Sequence, residues 1–197
     1  LAEDRNGNIL IGTLGSGLQI LNPTTGSFQT FNVNNANLPS DYISSVNVDN
    51  HGNYVFGHSQ HFSVMDARTH KVVTYSKTRS GQQFSSPSVN QIFVDSRGII
   101  WNATTSGMNV YDPTTDQYEL FDATHGGIGQ MACSVVEDNE HSVWIAFDHG
   151  VSRVKVSKKD GKWDFFITNY NDFDGLQSRQ FNFRSIFLSR NGDVFVG

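Results

Sequence analysis

Four of the seven histidines in the sequence are placed where acid–base chemistry could occur. His58 and His61 are three residues apart, His125 lies in the glycine-rich segment "HGGIG", and His149 follows Asp148. A histidine that acts as a general base needs a second group to orient it, and of these four only His149 has a carboxylate beside it in the sequence. Because adjacent strand residues point to opposite faces, Asp148 and His149 can cooperate only if they lie in a turn.

The other motifs do not indicate a catalytic or metal centre. A metal site needs three or four converging ligands, and no third His or Cys follows His58 and His61 at a metal-binding spacing. Nucleophile-elbow, zincin, P-loop and dinucleotide-binding motifs are absent from the sequence. We therefore predict no catalytic residues, no metal and no cofactor. The single cysteine, Cys133, excludes an intrachain disulfide, and its apolar surroundings are typical of a small core residue.

The elements that must position these side chains belong to an internal repeat. One template (Asp, two polar residues, Gly, a variable residue, two apolar residues, a further residue, then Gly or Ala) recurs along the chain. Its first residues are 45, 46, 43 and 51 positions apart, close to the roughly 40–50 residues of a four-stranded propeller blade. The template segments are "DRNGNILIG" (4–12), "DNHGNYVFG" (49–57), "DSRGIIWNA" (95–103), "DNEHSVWIA" (138–146) and "SRNGDVFVG" (189–197).

Each repeat is consistent with four short antiparallel strands, A to D. The template Asp can accept backbone hydrogen bonds in the A–B turn, and the Gly that follows adopts positive φ readily. Trp101 and Trp144 occupy one template position, which favours packing between blades. We predict an all-β fold in which residues 1–197 form a single, partial β-propeller of four blades plus part of a fifth. The blades lie at approximately 1–32, 42–76, 88–122, 131–170 and, incomplete, 182–197.

Charge and hydropathy exclude two classes of partner. The net charge is −5, and the sequence has no extended Lys/Arg cluster of the kind that binds nucleic acid or an anionic membrane. The longest apolar runs are far shorter than the ~20 residues of a membrane-spanning helix. We predict no nucleic-acid partner and no direct membrane insertion by this segment.

Variable loops mark the face where a ligand would bind. In an antiparallel meander the A–B and C–D turns share one face, and the B–C turns and D–A connections share the other. The A–B and C–D turns are nearly uniform, whereas the B–C turns and D–A connections differ between repeats, as binding loops on a repeated scaffold do. Their aromatic, amide and hydroxyl groups suit an oligosaccharide or another small ligand. The predicted ligand-binding residues are His58, His61, Phe84, Asn102, Thr104, Asp148, His149, Tyr170, Arg179, Gln180 and Asn182.

The repeat resembles a known family. "DRNGNILIGTLGSGLQILNPTTGSFQTFN" and "DSRGIIWNATTSGMNVYDPTTDQYELFD" look like the two-component regulator propeller repeat, and "NYNDFDGLQSRQFN" is similar to the passage that enters its last blade. The resemblance covers essentially the whole chain. His141 departs from it by replacing the turn glycine of the fourth repeat. The resemblance implies part of a periplasmic sensor ectodomain, in a hybrid two-component system with a histidine kinase elsewhere in the full-length protein.

Three functional hypotheses remain open from the sequence. The first is a non-catalytic sensor module that signals ligand occupancy to a downstream kinase through a phosphorelay, with a homodimer possible in the full-length receptor. The second is a lyase or hydrolase of the streptogramin-lyase-like type, with His58, His61, His125 and His149 as its candidate bases. The third is a purely structural or dimerising propeller.

Overall fold

The computed structural model describes residues 1–59, 61–86, 88–178 and 180–197. The chain is all-β, and the predicted β-propeller fold is confirmed by four four-stranded antiparallel sheets and one two-stranded sheet that follow one another along the chain. Among the described residues, no helix is both long and apolar enough to cross a membrane. The strands are β1 Ala2–Glu3, β2 Ile9–Gly12, β3 Leu18–Asn22, β4 Ser27–Phe31, β5 Ile43–Val48, β6 Tyr54–His58, β7 His61–Met65, β8 Val72–Tyr75, β9 Val89–Val94, β10 Ile100–Thr104, β11 Gly107–Asp112, β12 Gln117–Phe121, β13 Ala132–Glu137, β14 Ser142–Phe147, β15 Gly150–Lys159, β16 Lys162–Tyr170, β17 Ile186–Leu188 and β18 Val194–Val196.

Within each sheet the strands pair in chain order, so the first strand of every sheet lies at one edge. These first strands contact their counterparts in neighbouring sheets, β1 with β5, β5 with β9, β9 with β13, and β13 with β17. They therefore form the inner edge of the propeller, and the fourth strands lie outside. The C–D hairpin of the fourth sheet is longer than the others because β15 and β16 pair as far as Lys159 and Lys162, so that only Asp160 and Gly161 form its turn.

A carboxylate holds each complete A–B turn. The template Asp accepts the backbone N–H groups two and four residues on, at 2.8 and 2.9 Å for Asp4. The same pair of bonds measures 2.9 and 3.0 Å at Asp95. Asp49 and Asp138 repeat the pattern, so the predicted turn-capping role of the four aspartates is confirmed. In the two-stranded sheet, the hydroxyl of Ser189 accepts one such bond, from the N–H of Asp193.

The fourth template position requires a left-handed backbone. Gly98 has φ of 86° there, and the other template glycines are similar. His141 occupies this position in the fourth repeat with φ of 60°, which explains how the repeat tolerates the missing glycine, because a single non-glycine residue can enter the left-handed region at a modest energetic penalty. The turn still closes, since the N–H of His141 donates to the carbonyl of Asp138 at 3.0 Å.

Neighbouring A–B turns are joined by polar contacts. The side chain of Asn50 donates to the carbonyl of Ser96 at 2.9 Å. Ser96 in turn donates its hydroxyl to Glu137 at 2.7 Å, and Arg97 donates to the carbonyl of His141 at 2.8 Å. The repeated geometry of the A–B turns therefore also sets the distance between neighbouring sheets.

Apolar cores fill the spaces between the sheets. Trp101 is fully buried, and its ring makes an edge-to-face contact with Phe165 of the following sheet at 6.0 Å between centroids. This confirms the predicted packing role of Trp101. Trp144 is only half-buried and stacks on Tyr170 of its own sheet, 5.8 Å between centroids, on the side that faces β17 and β18.

The connection after β8 departs from the expected arrangement, in which every D–A connection lies on the B–C face. The backbone N–H groups of Arg79 and Ser80 each donate to Asp116 in the C–D turn of the third sheet, at 2.8 Å. Desolvation opposes ionisation of Asp116, but these bonds and one from Tyr111 outweigh it and lower its pKa to about 2. A local bridge between Lys77 and Gln83 lets the connection reach this turn and return.

The turn aspartates should be a main determinant of stability. Asp95 is 1% exposed and also accepts from the indole N–H of Trp101 at 3.0 Å and the guanidinium of Arg97 at 2.9 Å. Asp95→Asn removes the charge and places an N–H group among donors, so we expect it to lower the free energy of unfolding by roughly 3 kcal/mol. Urea denaturation measures this change. Asp164→Asn, at an exposed strand position, is the matched control and should stay within about 0.5 kcal/mol; equal effects of the two changes would contradict the structural role of Asp95.

Candidate functional site

The B–C turns and D–A connections meet at one end of the sheets. The N–H of Ile43 donates to the carbonyl of Thr13 at 2.7 Å, which joins the start of one A strand to the preceding B–C turn. Within the fourth sheet, the N–H of Asp148 in the B–C turn donates at 3.0 Å to the carbonyl of Met131, at the end of the D–A connection that enters this sheet. The loops predicted to carry ligand contacts therefore surround the ends of the inner strands.

A cavity of about 450 Å³ opens at this end, beside the inner edge of the second and third sheets. We call it the axial cavity, because it lies where the first strands of these sheets begin. Its volume is within the roughly 300–1,000 Å³ of small-molecule sites. The lining residues are Tyr42, Ser44, His58, Ser59, Ser88, Val89, Asn90, Phe183 and Arg184.

His58 lines the axial cavity and is one of the ligand-binding residues predicted from the sequence. It ends β6, is 1% exposed, and its Nε2 lies 2.9 Å from the hydroxyl of Ser63, which contacts Thr74 at 2.8 Å. Burial and the nearby His61 lower the pKa of His58 to about 4. The imidazole is therefore neutral at physiological pH and presents hydrogen-bonding groups without a charge.

Arg184 crosses the cavity from the connection that precedes β17. Its backbone N–H donates to the carbonyl of Cys133 at 3.4 Å, and its Nε donates to the carbonyl of Asn90 at 3.1 Å. Its Nη2 donates to the carbonyl of Ser44. The side chain thus joins the inner ends of two sheets and the backbone N–H adds a third, and no carboxylate pairs with the guanidinium among the described residues.

His61 and Phe84 lie together between the second and third sheets. Their rings make an edge-to-face contact at 5.7 Å between centroids, and burial lowers the pKa of His61. Phe84 is only 6% exposed and also contacts Phe62, Tyr111 and Tyr118 at 5.4 to 5.6 Å. The structure therefore gives Phe84 a core-packing position rather than an exposed aromatic surface.

Asn102 and Thr104 are both buried within β10. Thr104 donates its hydroxyl to the carbonyl of Gly107 at 2.8 Å and closes the B–C turn. Both polar atoms of the Asn102 amide lack a hydrogen-bond partner in the described part of the chain. Neither residue lines the axial cavity.

The remaining predicted residues are spread around the same end. Asp148 and His149 do lie in a turn, between β14 and β15, and the carboxylate is 3.2 Å from Nδ1 of the imidazole. Asp148 also accepts the N–H of Met131 at 3.1 Å, so it is held in place. A second His–carboxylate pair, His125 with Asp122 at 2.8 Å, lies in the D–A connection after β12.

Two of the last three predicted residues belong to the connection that carries Arg184, but they do not line the axial cavity. Gln180 and Asn182 are both exposed, and the N–H of Asn182 donates to the carbonyl of Gly197 at 2.9 Å. Arg179 lies outside the described residues.

Tyr170 lies in a different and larger cavity, of about 610 Å³, between the fourth sheet and the two-stranded sheet. Arg153 lies over the ring of Trp144 at 5.2 Å and pairs with Glu140 at 2.7 Å on its wall. No group of three or more potential metal ligands occurs among the residues that the structure describes.

Comparison with known proteins identifies folds rather than a family. No protein-family model and no curated protein matches the chain. Among solved structures, the extracellular domain assigned to the hybrid two-component system BT3049 from B. thetaiotaomicron matches with a TM-score of 0.79 and 21% identity, over 99% of this chain and 26% of that one. The extracellular domain of BT4673 from the same organism matches with a TM-score of 0.74 and 16% identity, over 100% of this chain and 25% of that one.

A protein described as a gluconolactonase is also similar, with a TM-score of 0.59 and 6% identity, over 92% of this chain and 63% of that one. This chain spans about a quarter of the length of the two sensor ectodomains. At these identities the likenesses establish the propeller fold.

Sequence reasoning missed eight of the nine residues that line the axial cavity, among them Tyr42, Ser44 and Arg184. Tyr42 and Ser44 flank the start of β5, next to a D–A connection that was included in the predicted ligand face. Arg184 follows the predicted Asn182 by two positions, but its partners are carbonyls 94 and 140 residues away. No local motif predicts contacts between residues this far apart in the sequence. The variable-loop pattern was the one sequence feature that could have indicated these three residues.

His58 provides a test of the buried, neutral site. Its imidazole should titrate near pH 4 in the folded protein, whereas the same signal in urea should titrate near 6.5. The unfolded state then binds more protons between these values, so the stability due to neutral His58 is complete above about pH 6.5 and is lost as the pH falls towards 4. NMR titration of the ring carbon signals, assigned with His58→Gln, measures this; a folded-state midpoint above 6 would contradict the burial of His58.

Phe84 provides a test of the aromatic cluster. Phe84→Ala should lower the free energy of unfolding by about 3–5 kcal/mol, because it empties a buried aromatic site between two sheets. Phe166→Ala, at a ring that is 69% exposed, is the matched control and should change it by less than about 1 kcal/mol. Urea denaturation of both variants measures the difference, and a Phe84 variant as stable as the control would refute the packing role.

Proposed function

We propose that this propeller is a ligand-sensing segment of an extracytoplasmic, periplasmic receptor domain, non-catalytic in itself. In this proposal, ligand occupancy is signalled to a histidine kinase and a phosphorelay in the full-length protein. The observation that carries it is the likeness, over 99% and 100% of this chain, to extracellular domains assigned to hybrid two-component systems.

The distribution of variation over the fold supports this proposal. The A–B turns repeat one hydrogen-bond pattern from sheet to sheet, as a scaffold requires. The opposite end carries dissimilar loops and a cavity lined by polar and aromatic side chains. Such a division between a regular scaffold and variable loops is typical of binding proteins built from repeats.

We propose an oligosaccharide as the ligand, because the axial cavity combines exposed aromatic rings with hydrogen-bonding groups. Tyr42 and Phe183 are 47% and 55% exposed, and they can pack against the C–H faces of sugar rings. Ser59, Ser88 and Asn90 supply hydroxyl and amide groups for sugar hydroxyls.

A lyase or hydrolase is the second candidate, favoured by one observation in the site. Asp148 and His149 lie in a turn and contact each other, which is the arrangement that an oriented general base requires. A lactone-hydrolysis assay separates the two functions. Turnover that disappears in His149→Ala would favour the enzyme, and turnover that survives removal of His58, His61, His125 and His149 would exclude this mechanism.

The sensor proposal predicts saccharide binding at the loop end. A panel of oligosaccharides tested by calorimetry against the 197-residue chain should contain a binder. The double variant Tyr42→Ala/Phe183→Ala should weaken that binder at least fivefold, because both exposed rings line the cavity. Thr24→Ala, in a C–D turn at the opposite end, is the matched control and should leave the affinity unchanged. A panel without any binder would count against direct sensing by this segment.

A further inference from the structure

The axial cavity differs from the protein as a whole in charge. The chain has a net charge of −5, yet Arg184 is the one residue with a full formal charge among the nine that line the cavity. His58 does not add to this charge or cancel it, because its pKa of about 4 keeps it neutral at physiological pH. The cavity is therefore a local site of positive charge on an acidic protein.

The Arg184 guanidinium is positioned but not neutralised. Its Nε and Nη2 groups donate to the carbonyls of Asn90 and Ser44, which fix the plane of the guanidinium. No described residue forms a hydrogen bond with Nη1, and no described carboxylate lies within ion-pair distance. A fixed guanidinium with unused donors is suited to binding a carboxylate from outside the chain.

A second, independent feature of the wall also points to a ligand. Ser44 is 8% exposed, and its hydroxyl is buried without a hydrogen-bond partner in the described part of the chain. Buried hydroxyl groups are ordinarily paired, so an unpaired one in a cavity wall indicates a partner that enters the cavity. Ser44 and Arg184 both line the cavity, and the carbonyl of Ser44 accepts a hydrogen bond from Arg184.

Two exposed aromatic rings complete the arrangement. Tyr42 and Phe183 come from the second sheet's entry loop and from the connection before β17, and both line the cavity. Apolar ring faces favour a cyclic ligand over a small inorganic anion, because they gain from contact with C–H surface. The wall therefore offers a cationic group, a hydroxyl and ring faces to the same ligand.

From these observations we propose that the axial cavity binds a carboxylate-bearing ring compound, with the carboxylate on Arg184 and Ser44 and the ring against Tyr42 and Phe183. This inference rests on the proposed ligand-binding function and narrows its ligand to an acidic class. A uronate residue of an oligosaccharide and a free cyclic carboxylic acid share this chemistry, and binding measurements distinguish them.

The test compares galacturonate and digalacturonate with galactose and galactobiose, and with benzoate, by calorimetry on the 197-residue chain. We expect a carboxylate ligand to bind, to weaken as the ionic strength rises, and to exceed its neutral counterpart in affinity. Arg184→Gln should weaken this binding about tenfold to a hundredfold, because it removes a charge-assisted hydrogen bond. Tighter binding of the uronates than of benzoate identifies the saccharide source, and the reverse identifies the free acid.

Control variants test whether the loss of carboxylate binding is specific to the cavity. Arg190→Gln makes the same change at an exposed position in the A–B turn between β17 and β18, so it should leave the affinity unchanged. Ser44→Ala should also weaken the carboxylate ligand, and circular dichroism should show that all three variants keep the strand content of the parent. Equal loss in the Arg184 and Arg190 variants would overturn the assignment of the site.

The acidic-ligand inference and the sensor proposal can fail separately. If galactose, galactobiose or another neutral glycan binds as tightly as the carboxylates and Arg184→Gln has no effect, the acidic-ligand inference is overturned while the sensor proposal stands. If no carboxylate compound binds, the inference is overturned, and if the neutral panel also contains no binder, direct sensing fails with it.

Discussion

The architecture depends on one carboxylate that is repeated at the A–B turn of each complete sheet. Its Oδ1 accepts the two backbone N–H groups that a tight turn would otherwise leave without partners. In three of the four complete sheets, its Oδ2 also accepts from an aromatic side chain. In the third and fourth sheets this aromatic donor is the indole of Trp101 or Trp144, at 3.0 and 2.6 Å. At Asp4 it is the hydroxyl of Tyr54 from the next sheet, at 3.1 Å. The template carboxylate therefore fixes the register of the A–B hairpin. In the first repeat it also joins one sheet to the next.

The regular A–B turns at one end of the sheets leave the loops at the opposite end free to vary. Contacts between A–B turns set the spacing of the sheets, and the apolar cores between sheets fix their mutual orientation. The B–C turns and D–A connections can then differ in length and composition without disturbing the strands. One connection has gained a structural role, since Phe84 fills the space between two sheets while Arg79 and Ser80 bind Asp116 at the opposite end.

The candidate site follows from the position of the inner strands. Because the first strand of each sheet lies at the inner edge, the residues that begin these strands come close together although they are about 45 positions apart in the chain. Ser44 and Asn90 are such residues, and Arg184 binds both of their carbonyls. The aromatic rings and the neutral imidazole of His58 then complete a cavity that suits a small polar ligand.

The sequence alone determined the repeat, the all-β propeller, the turn aspartates and the packing position of Trp101, because each depends on residues within one period. It also predicted His58, since a variable turn beside a regular strand marks the loop end of a blade. Tertiary structure decided which loop residues meet. It placed Arg184 against the starts of three inner strands, buried Phe84 and Asn102, and brought Asp148 and His149 together in a turn. The placement of Arg184 and the burial of Phe84 depend on contacts between different sheets. A periodic local pattern specifies the strands of each sheet, but it does not specify which side chains of distant repeats will share a cavity.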